Sequence, residues 1–434
     1  MSAVPQRVDR PSTPRFRRVR SLPGRIWGAL GPGLITGAAD DDPSGIATYS
    51  VAGAQLGTSL IWTALITWPL MAAVQAMCAR IGMVTGRGLM GALRRKFPRR
   101  VLGAAAAALL LANTINIAAD LAGMADAMEL LVGVNSHVWV VLFGTGIAWA
   151  SIQLRYATIA RVLKWLSLVL FAYVITGIYI RPPWHAVLHA TFLPSMPSSR
   201  SAWATLVAIL GTTISPYLFF WQASQEVEEE KAVGRHTLVE RRGASPTELL
   251  DRKIDVGVGT LFSNLVMYFI ILTTAFTLHV RGLTELSTSR EVAEALRPLA
   301  GNFATLLYTL GIVGTGLLAI PTLSGSAAYA FAELFGWQQG IDAHFRGAPA
   351  FYMVVGTAIA AGVAMDFANV NPVKTLYWTA IINGLLAPFL LTGILLVASD
   401  RKLMQNQPSS HLGQITVGLT TVFMFVAAVA MFVV

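Results

Sequence analysis

Three consecutive aspartates, Asp40, Asp41 and Asp42, are followed by Pro43, Ser44 and Gly45 inside an apolar stretch, GPGLITGAADDDPSGIATYSVAGAQLG, running from Gly31 to Gly57. A carboxylate at bilayer depth is costly and marks a partner, a cavity or an ion path. Pro43 removes a backbone donor and disfavours helix at Asp42. Gly45 adds backbone freedom. The pattern reads as a membrane helix broken at its middle, exposing carboxylates and freed carbonyls to a cavity, which suits a cation. A second polar-proline step, Ser215-Pro216, interrupts GTTISPYLFFWQ.

The elements that position these residues are membrane spans. The chain has 434 residues, 55% of them hydrophobic and 12% charged, with mean hydropathy +0.60. Soluble proteins carry roughly 25% charged residues, and apolar runs of about 20 residues are the length that crosses a bilayer. About eleven such runs are expected, at 26–57, 59–81, within 101–133, 137–153, 162–180, 202–222, 254–279, 302–330, 349–370, 375–398 and 412–434. Period-two alternation is absent, which excludes a barrel reading. Residues 1–25 form a basic tail, expected to be disordered and cytoplasmic.

The net charge of +10 does not imply nucleic acid, because no binding-domain pattern accompanies it. The excess Arg and Lys fall in short loops such as the one carrying Arg87, Arg94, Arg95, Lys96, Arg99 and Arg100, which places those loops in the cytoplasm. With the N-terminus inside, an odd number of spans leaves the C-terminus outside. The host membrane is expected to be the cell membrane of a bacterium. The lone cysteine, Cys78, excludes an intrachain disulfide and reads as a core residue. No His-Glu metal motif, nucleophile elbow or phosphate loop stands in the right context, so an enzyme is not expected. No cofactor is implied. His185, His189, His236, His279, His344 and His411 fall in loops or at span ends, and His137 opens a span, so no histidine metal site is expected.

The two broken spans are the first and the sixth. Breaks five spans apart describe an inverted-repeat transporter, in which discontinuous helices meet at the midplane and form the site. The fold class expected is therefore all-α and polytopic, with two inverted five-helix repeats plus an eleventh helix. The first repeat covers 26–180 and the second 202–398, with an external loop at 181–201, a charged cytoplasmic loop at 225–253 and a final loop and span at 399–434. One copy is enough to form such a site, and the oligomeric state stays open.

These motifs resemble the NRAMP family of divalent metal transporters, which have the LeuT-like fold. The family's first-span signature, an Asp-Pro-Gly-Asn core followed by Ala-Thr and a Gly-Ser-Gln-Phe-Gly-type ending, is matched by Asp42-Pro43-Ser44-Gly45, Ala47-Thr48 and Gly53-Ala54-Gln55-Leu56-Gly57. Ser215-Pro216-Tyr217-Leu218 stands for the family's Met-Pro-His-Asn, and MCARIGMVTGRGL and IAADLA are also similar. The resemblance covers roughly 26–434 and implies a metal site of Asp42, Gly45, Ala39, Thr212 and Ser215. Gly45 replaces the ligand asparagine and Ser215 the ligand methionine. Thioether sulfur favours later transition metals, whereas hydroxyl and carboxylate oxygens suit hard ions. Mg²⁺ keeps several waters, so a wider, all-oxygen site fits it. The chain thus resembles the NRAMP-related magnesium transporters, with Mn²⁺ as the next substrate.

Successive helical residues differ by about 100°, so the three aspartates cannot share one face. Asp42 is expected to hold the ion. Asp40 and Asp41 either support it indirectly or pair elsewhere. Ser44, Tyr217, Asp120 and Asn383 are expected near the path. The resemblance also implies a proton route, but Tyr217 and Gln222 replace its histidines, and Gly123 and Asn113 replace acids near Asp120. Weak or absent proton coupling is expected. The alternatives are a proton-coupled Mn²⁺/Fe²⁺ importer, and an amino-acid or small-solute transporter of the same fold. The aspartates oppose the latter, because a carboxylate substrate would be repelled.

Overall fold

The computed structural model describes residues 37, 40–154, 168–196, 198–341, 345–368 and 371–434. The basic tail, most of the first half of the first span, Ala39, His344 and the start of the fifth span lie outside the described residues. Among those described, the chain is helical, and eight helical segments are long and apolar enough to cross a membrane. The other three expected spans are the first and fifth, described in part, and the 18-residue helix Ser136–Gln153.

The first span resumes as α1 (Pro43–Leu56). It is followed by α2 (Trp62–Thr85), a short α3 (Leu89–Leu93), α4 (Arg99–Val132) and α5 (Ser136–Gln153). Next come α6 (Phe171–Tyr179) and α7 (Trp184–Phe192). The sixth span is two helices, α8 (Arg200–Thr213) and α9 (Pro216–Ala232). Then follow α10 (Pro246–Thr277), two short helices, α11 (Ser289–Ala293) and α12 (Arg297–Ala300), and the long α13 (Ala304–Phe335). The chain ends with α14 (Pro349–Asp366), α15 (Pro372–Ala398) and α16 (His411–Val433).

Both breaks have local causes. Pro43 and Pro216 each occupy the first turn of a helix, where a missing N–H costs nothing and the fixed φ is already helical. At the sixth span the backbone leaves helical geometry at Ile214, and the Ser215 hydroxyl donates to the freed carbonyls of Gly211 at 3.0 Å and Thr212 at 2.6 Å. These are the orphan acceptors that a helix C-terminus leaves.

The α8–α9 pair lies at the centre of the bundle: 94% of its most apolar stretch is buried, against 39% for α16. Close approach puts it there. A Cβ at Gly211 would collide with the backbone of Ala380 and Gly384 in α15, and one at Gly384 would meet Val207. Around this centre α4 packs on α13 and α14, and α1 on α10 and α15.

The structure departs from the expected loops at three places. The charged loop expected at 225–253 is shorter, because α9 continues to Ala232 and α10 starts at Pro246. Arg252 draws the two helices together, pairing with Glu226 at 2.7 Å, with Asp255 at 2.7 Å and with Glu229. A capping box of Ser245 and Glu248 starts α10. Within the loop expected at 181–201, α7 forms a helix after Pro183. The second span runs to Thr85 rather than 81, and Gly86 closes it in the left-handed conformation at φ 64°.

Candidate metal site

Asp42 is the N-cap of α1, and this role fixes its carboxylate. Oδ1 accepts the Gly45 N–H and the Ser44 hydroxyl, both at 2.7 Å. An N-cap carboxylate is favoured by the positive end of the helix as well as by these donors. Oδ2 faces the other way and accepts Asn116 Nδ2 from α4 at 3.2 Å and the Tyr217 hydroxyl from α9 at 3.3 Å. The carboxylate is thus buried where α1, α4 and α9 converge.

Asp40 and Asp41 point elsewhere, because the chain bends at Asp41 and is extended at Asp42. Ser263 of α10 meets both: its hydroxyl lies 2.6 Å from Asp40 Oδ2 and 3.1 Å from Asp41 Oδ1. One hydroxyl proton is shared between two buried carboxylates, and the other oxygen of each has no protein partner. Ser263 therefore ties the broken strand of the first span to α10.

Gly45 lets α1 lie close against Thr212, beside the Tyr49 ring. A Cβ there would stand 3.2 Å from Thr212 Oγ1, 3.4 Å from the Tyr49 ring and 3.5 Å from the Asp40 carbonyl oxygen. A longer side chain would have to displace Thr212 or Tyr49. The Tyr49 and Thr212 hydroxyls lie side by side, and neither has another protein partner. Ser215 gives its proton to the α8 carbonyls, so its oxygen lone pairs stay available. Asp120 of α4 lies beside the Ser44 backbone amide, close to Asp42, with no other partner for its carboxylate. Thr48 Oγ1 and Asn116 Oδ1 are also buried and unpartnered.

Buried polar atoms are nearly always hydrogen-bonded, so a gathering of unpartnered oxygens needs a reason. Hydroxyls, carboxylates and a carbonyl around one space are hard ligands, suited to a cation that keeps part of its water. Among the described residues no three His, Cys, Asp or Glu side chains converge as a chelating set. The cation would be held by one carboxylate and neutral oxygens.

The structure thus brings together Asp42, Ser44, Gly45, Thr212, Tyr217 and Asp120, with Ser215 at the break beside Thr212. Ala39 lies outside the described residues. Asn383 is buried in α15 next to Gly384, and among the described residues no hydrogen bond joins it to Asp42. Asn116, Tyr49 and Ser263 were not singled out from the sequence. Asn116 was within reach, because it precedes Asp120 by four residues and shares its helical face.

The surroundings of Asp120 are apolar on the side of Gly123. A Cβ at Gly123 would meet Leu376 Cδ1 at 2.9 Å, with Ile312 behind it. Asn113 is committed to α13, donating to the Leu323 carbonyl at 2.8 Å and the Ser326 hydroxyl at 2.9 Å. Gln222 donates to Glu226 at 2.7 Å and so joins the Arg252 network. Asp126 and Glu129 accept the backbone N–H groups of Ser289 and Ser136, fixing connections at the far end of α4. His279 lies 2.8 Å from the Ala54 carbonyl at the end of α1, and His137 pairs with Asp366 at 2.6 Å.

Comparison with known proteins gives a consistent result. Residues 33–434 match the model of the family described as Nramp, natural resistance-associated macrophage protein-like. A divalent metal cation transporter MntH of Aeromonas hydrophila is 26% identical over 410 residues, covering 90% of this chain and 92% of that protein. The MntH of Pectobacterium carotovorum is 29% identical over 310 residues, covering 68% and 70%. Among solved structures, a manganese transporter of Eremococcus coleocola, in complex with an aromatic bis-isothiourea substituted compound, superposes with a TM-score of 0.72 at 17% identity, covering 96% of this chain and 89% of that one. Mhp1, a nucleobase-cation-symport-1 family transporter, gives 0.58 at 14% identity over 93% and 90%. The shared fold is the all-α, LeuT-like arrangement.

Proposed function

The chain belongs to the Nramp family, and from that premise we propose that it carries a hard divalent cation, Mg²⁺ first and Mn²⁺ next, across a cell membrane. The observation that carries this reading is the set of buried oxygens without protein partners around Asp42, on Thr48, Asn116, Asp120 and Thr212. Asp42 supplies the charge. The Thr212 and Ser215 oxygens and the Asp40 carbonyl supply neutral donors. Gly45 supplies no amide ligand, and a hard ion that lacks it keeps part of its hydration. Asn116 and Tyr217 hold the Asp42 carboxylate in place through hydrogen bonds to Oδ2.

The same reading takes proton coupling as weak. Tyr217 stands beside Asp42 where a titrating group would be needed, and Leu376 fills the space that an acid at position 123 would occupy. The ion gradient and the membrane potential then drive uptake. The basic connections around α3 and between α9 and α10 face the cytoplasm, with the N-terminus on that side. A Mn²⁺-first transporter is the second reading. It is favoured by the names of the relatives and of the Eremococcus coleocola structure, and hard oxygen donors accept Mn²⁺ as well.

The test is flux in proteoliposomes. Asp42→Ala is expected to abolish divalent-cation uptake while the protein still purifies as a folded monodisperse species. Retained flux would remove Asp42 from the site. A dye inside the vesicles is expected to report little acidification during Mg²⁺ uptake, and a stoichiometric proton influx would overturn the uncoupled reading.

A further inference from the structure

At the end of the bundle where α2 hands over to α4, a cleft of about 800 Å³ opens between the α3 turn, the α9–α10 connection and the segment leading from α13 to α14. Its walls carry Arg87, Arg94, Arg95, Lys231 and Arg241 against one carboxylate, Glu333. Glu333 is already engaged. Its two oxygens accept the Gly88 N–H at 2.6 Å and the Gly91 N–H at 2.8 Å, which anchors α3 to α13. Lys231 pairs with Glu228 at 2.8 Å. Arg94 donates to the Glu333 backbone carbonyl at 2.7 Å, and Arg241 donates to the carbonyls of Gly86, Arg235 and His236. Arg87 keeps a buried Nε with no partner, and among the described residues none of these four arginines forms an ion pair.

This concentration of like charge is unfavourable by itself. Partial burial holds the Arg87 pKa below its ordinary value, and repulsion from Arg95, Arg242 and Arg94 adds to the effect, against the attraction of Glu333. A cleft with such a field repels a divalent cation. It attracts an anion. Guanidinium forks match phosphate oxygens in pairs. Gly347 and Ala348, just before α14, lie on the same wall. Trp337, stacked on Phe335 with centroids 5.0 Å apart, gives the cleft one flat aromatic wall.

We propose that this cleft is a binding site for a phosphate-bearing anion, held by Arg87, Arg94 and Arg95. A phosphate there bridges α3, α9 and the α13–α14 connection, adding to the anchor that Glu333 makes between α13 and α3. The phosphate comes either from a soluble polyphosphate or from a lipid headgroup of the adjacent leaflet.

The experiment uses the full chain in nanodiscs, without divalent metal. In the soluble arm, ATP and tripolyphosphate are titrated against nanodiscs of phosphatidylcholine, with calorimetry and the melting midpoint as readouts. In the lipid arm, phosphatidylglycerol replaces part of the phosphatidylcholine and no soluble phosphate is added. One arm is expected to give saturable binding and a higher melting midpoint. Arg87→Gln/Arg95→Gln is expected to weaken that binding about tenfold, as the loss of charge-assisted hydrogen bonds implies. Arg95 is exposed, so Arg95→Gln alone keeps the fold and is expected to weaken binding in the same direction. Lys96→Gln, whose side chain pairs with Asp400 outside the cleft, is expected to leave it unchanged. Absence of binding in both arms, wild-type binding by Arg95→Gln, or an equal loss in Lys96→Gln would overturn the proposal.

Discussion

Replacing Gly45 tests the position that the site reading depends on. In Gly45→Ala the added Cβ meets Thr212 Oγ1 at 3.2 Å and the Tyr49 ring at 3.4 Å, contacts that ask for shifts of a few tenths of an ångström. Ala in place of a helical Gly gains about 0.5–1 kcal/mol. The crowding offsets part of that, so stability is expected to change by less than about 1 kcal/mol. Gly45→Asn adds a whole amide against Thr212 and Tyr49, where a Cβ is already tight. It displaces water between the ion and Thr212 and removes a hydrogen bond to a charged group, worth about 1.5–3 kcal/mol. The apparent affinity for Mg²⁺ is therefore expected to fall about 10- to 100-fold, while Gly45→Ala loses less. Mg²⁺ uptake into proteoliposomes as a function of concentration measures this, with the melting midpoint as the folding control. A folded Gly45→Asn protein with unchanged Mg²⁺ uptake would refute the reasoning.

Gly45→Asn combined with Ser215→Met should shift preference toward Mn²⁺ or Cd²⁺, because a soft sulfur replaces a hard oxygen; unchanged selectivity in a competition assay would show that other residues set it. Asn116→Leu should lower the uptake rate about tenfold by removing one of the two donors to Asp42 Oδ2, as expected for a lost charge-assisted hydrogen bond, and Asn116→Gln should recover part of it. Arg252→Ala should destabilise the protein by about 3–5 kcal/mol, because it removes the cation that the buried Glu226 and Asp255 share. Its thermal melting compared with wild type measures that loss.

Much of the fold was legible because membrane spans are written in long apolar runs. The breaks were legible because proline in a first helical turn has few other uses. Asp42 could be placed by its position before Pro43. The directions of Asp40 and Asp41 could not, since they depend on a bend at Asp41 and on Ser263, more than 200 residues away. Within the seventh span Ser263 looks like any small polar residue tolerated by a membrane helix. The stretch 225–253 read as a loop because charges of both signs suggested a solvated connector. In the folded chain those charges pair across α9 and α10, and both helices extend beyond the apolar core. The capping box of Ser245 and Glu248 is the local signal for the start of α10 within that stretch.

The central claim is that Gly45, Thr212 and Ser215 make the site choose a hard, still hydrated cation. Competition of Mg²⁺, Mn²⁺ and Ca²⁺ for uptake by the wild-type protein in proteoliposomes tests it most directly. Saturable Mg²⁺ uptake, inhibited by Mn²⁺ and little affected by Ca²⁺, is the predicted result. Uptake of Mn²⁺ that excess Mg²⁺ does not inhibit would contradict it.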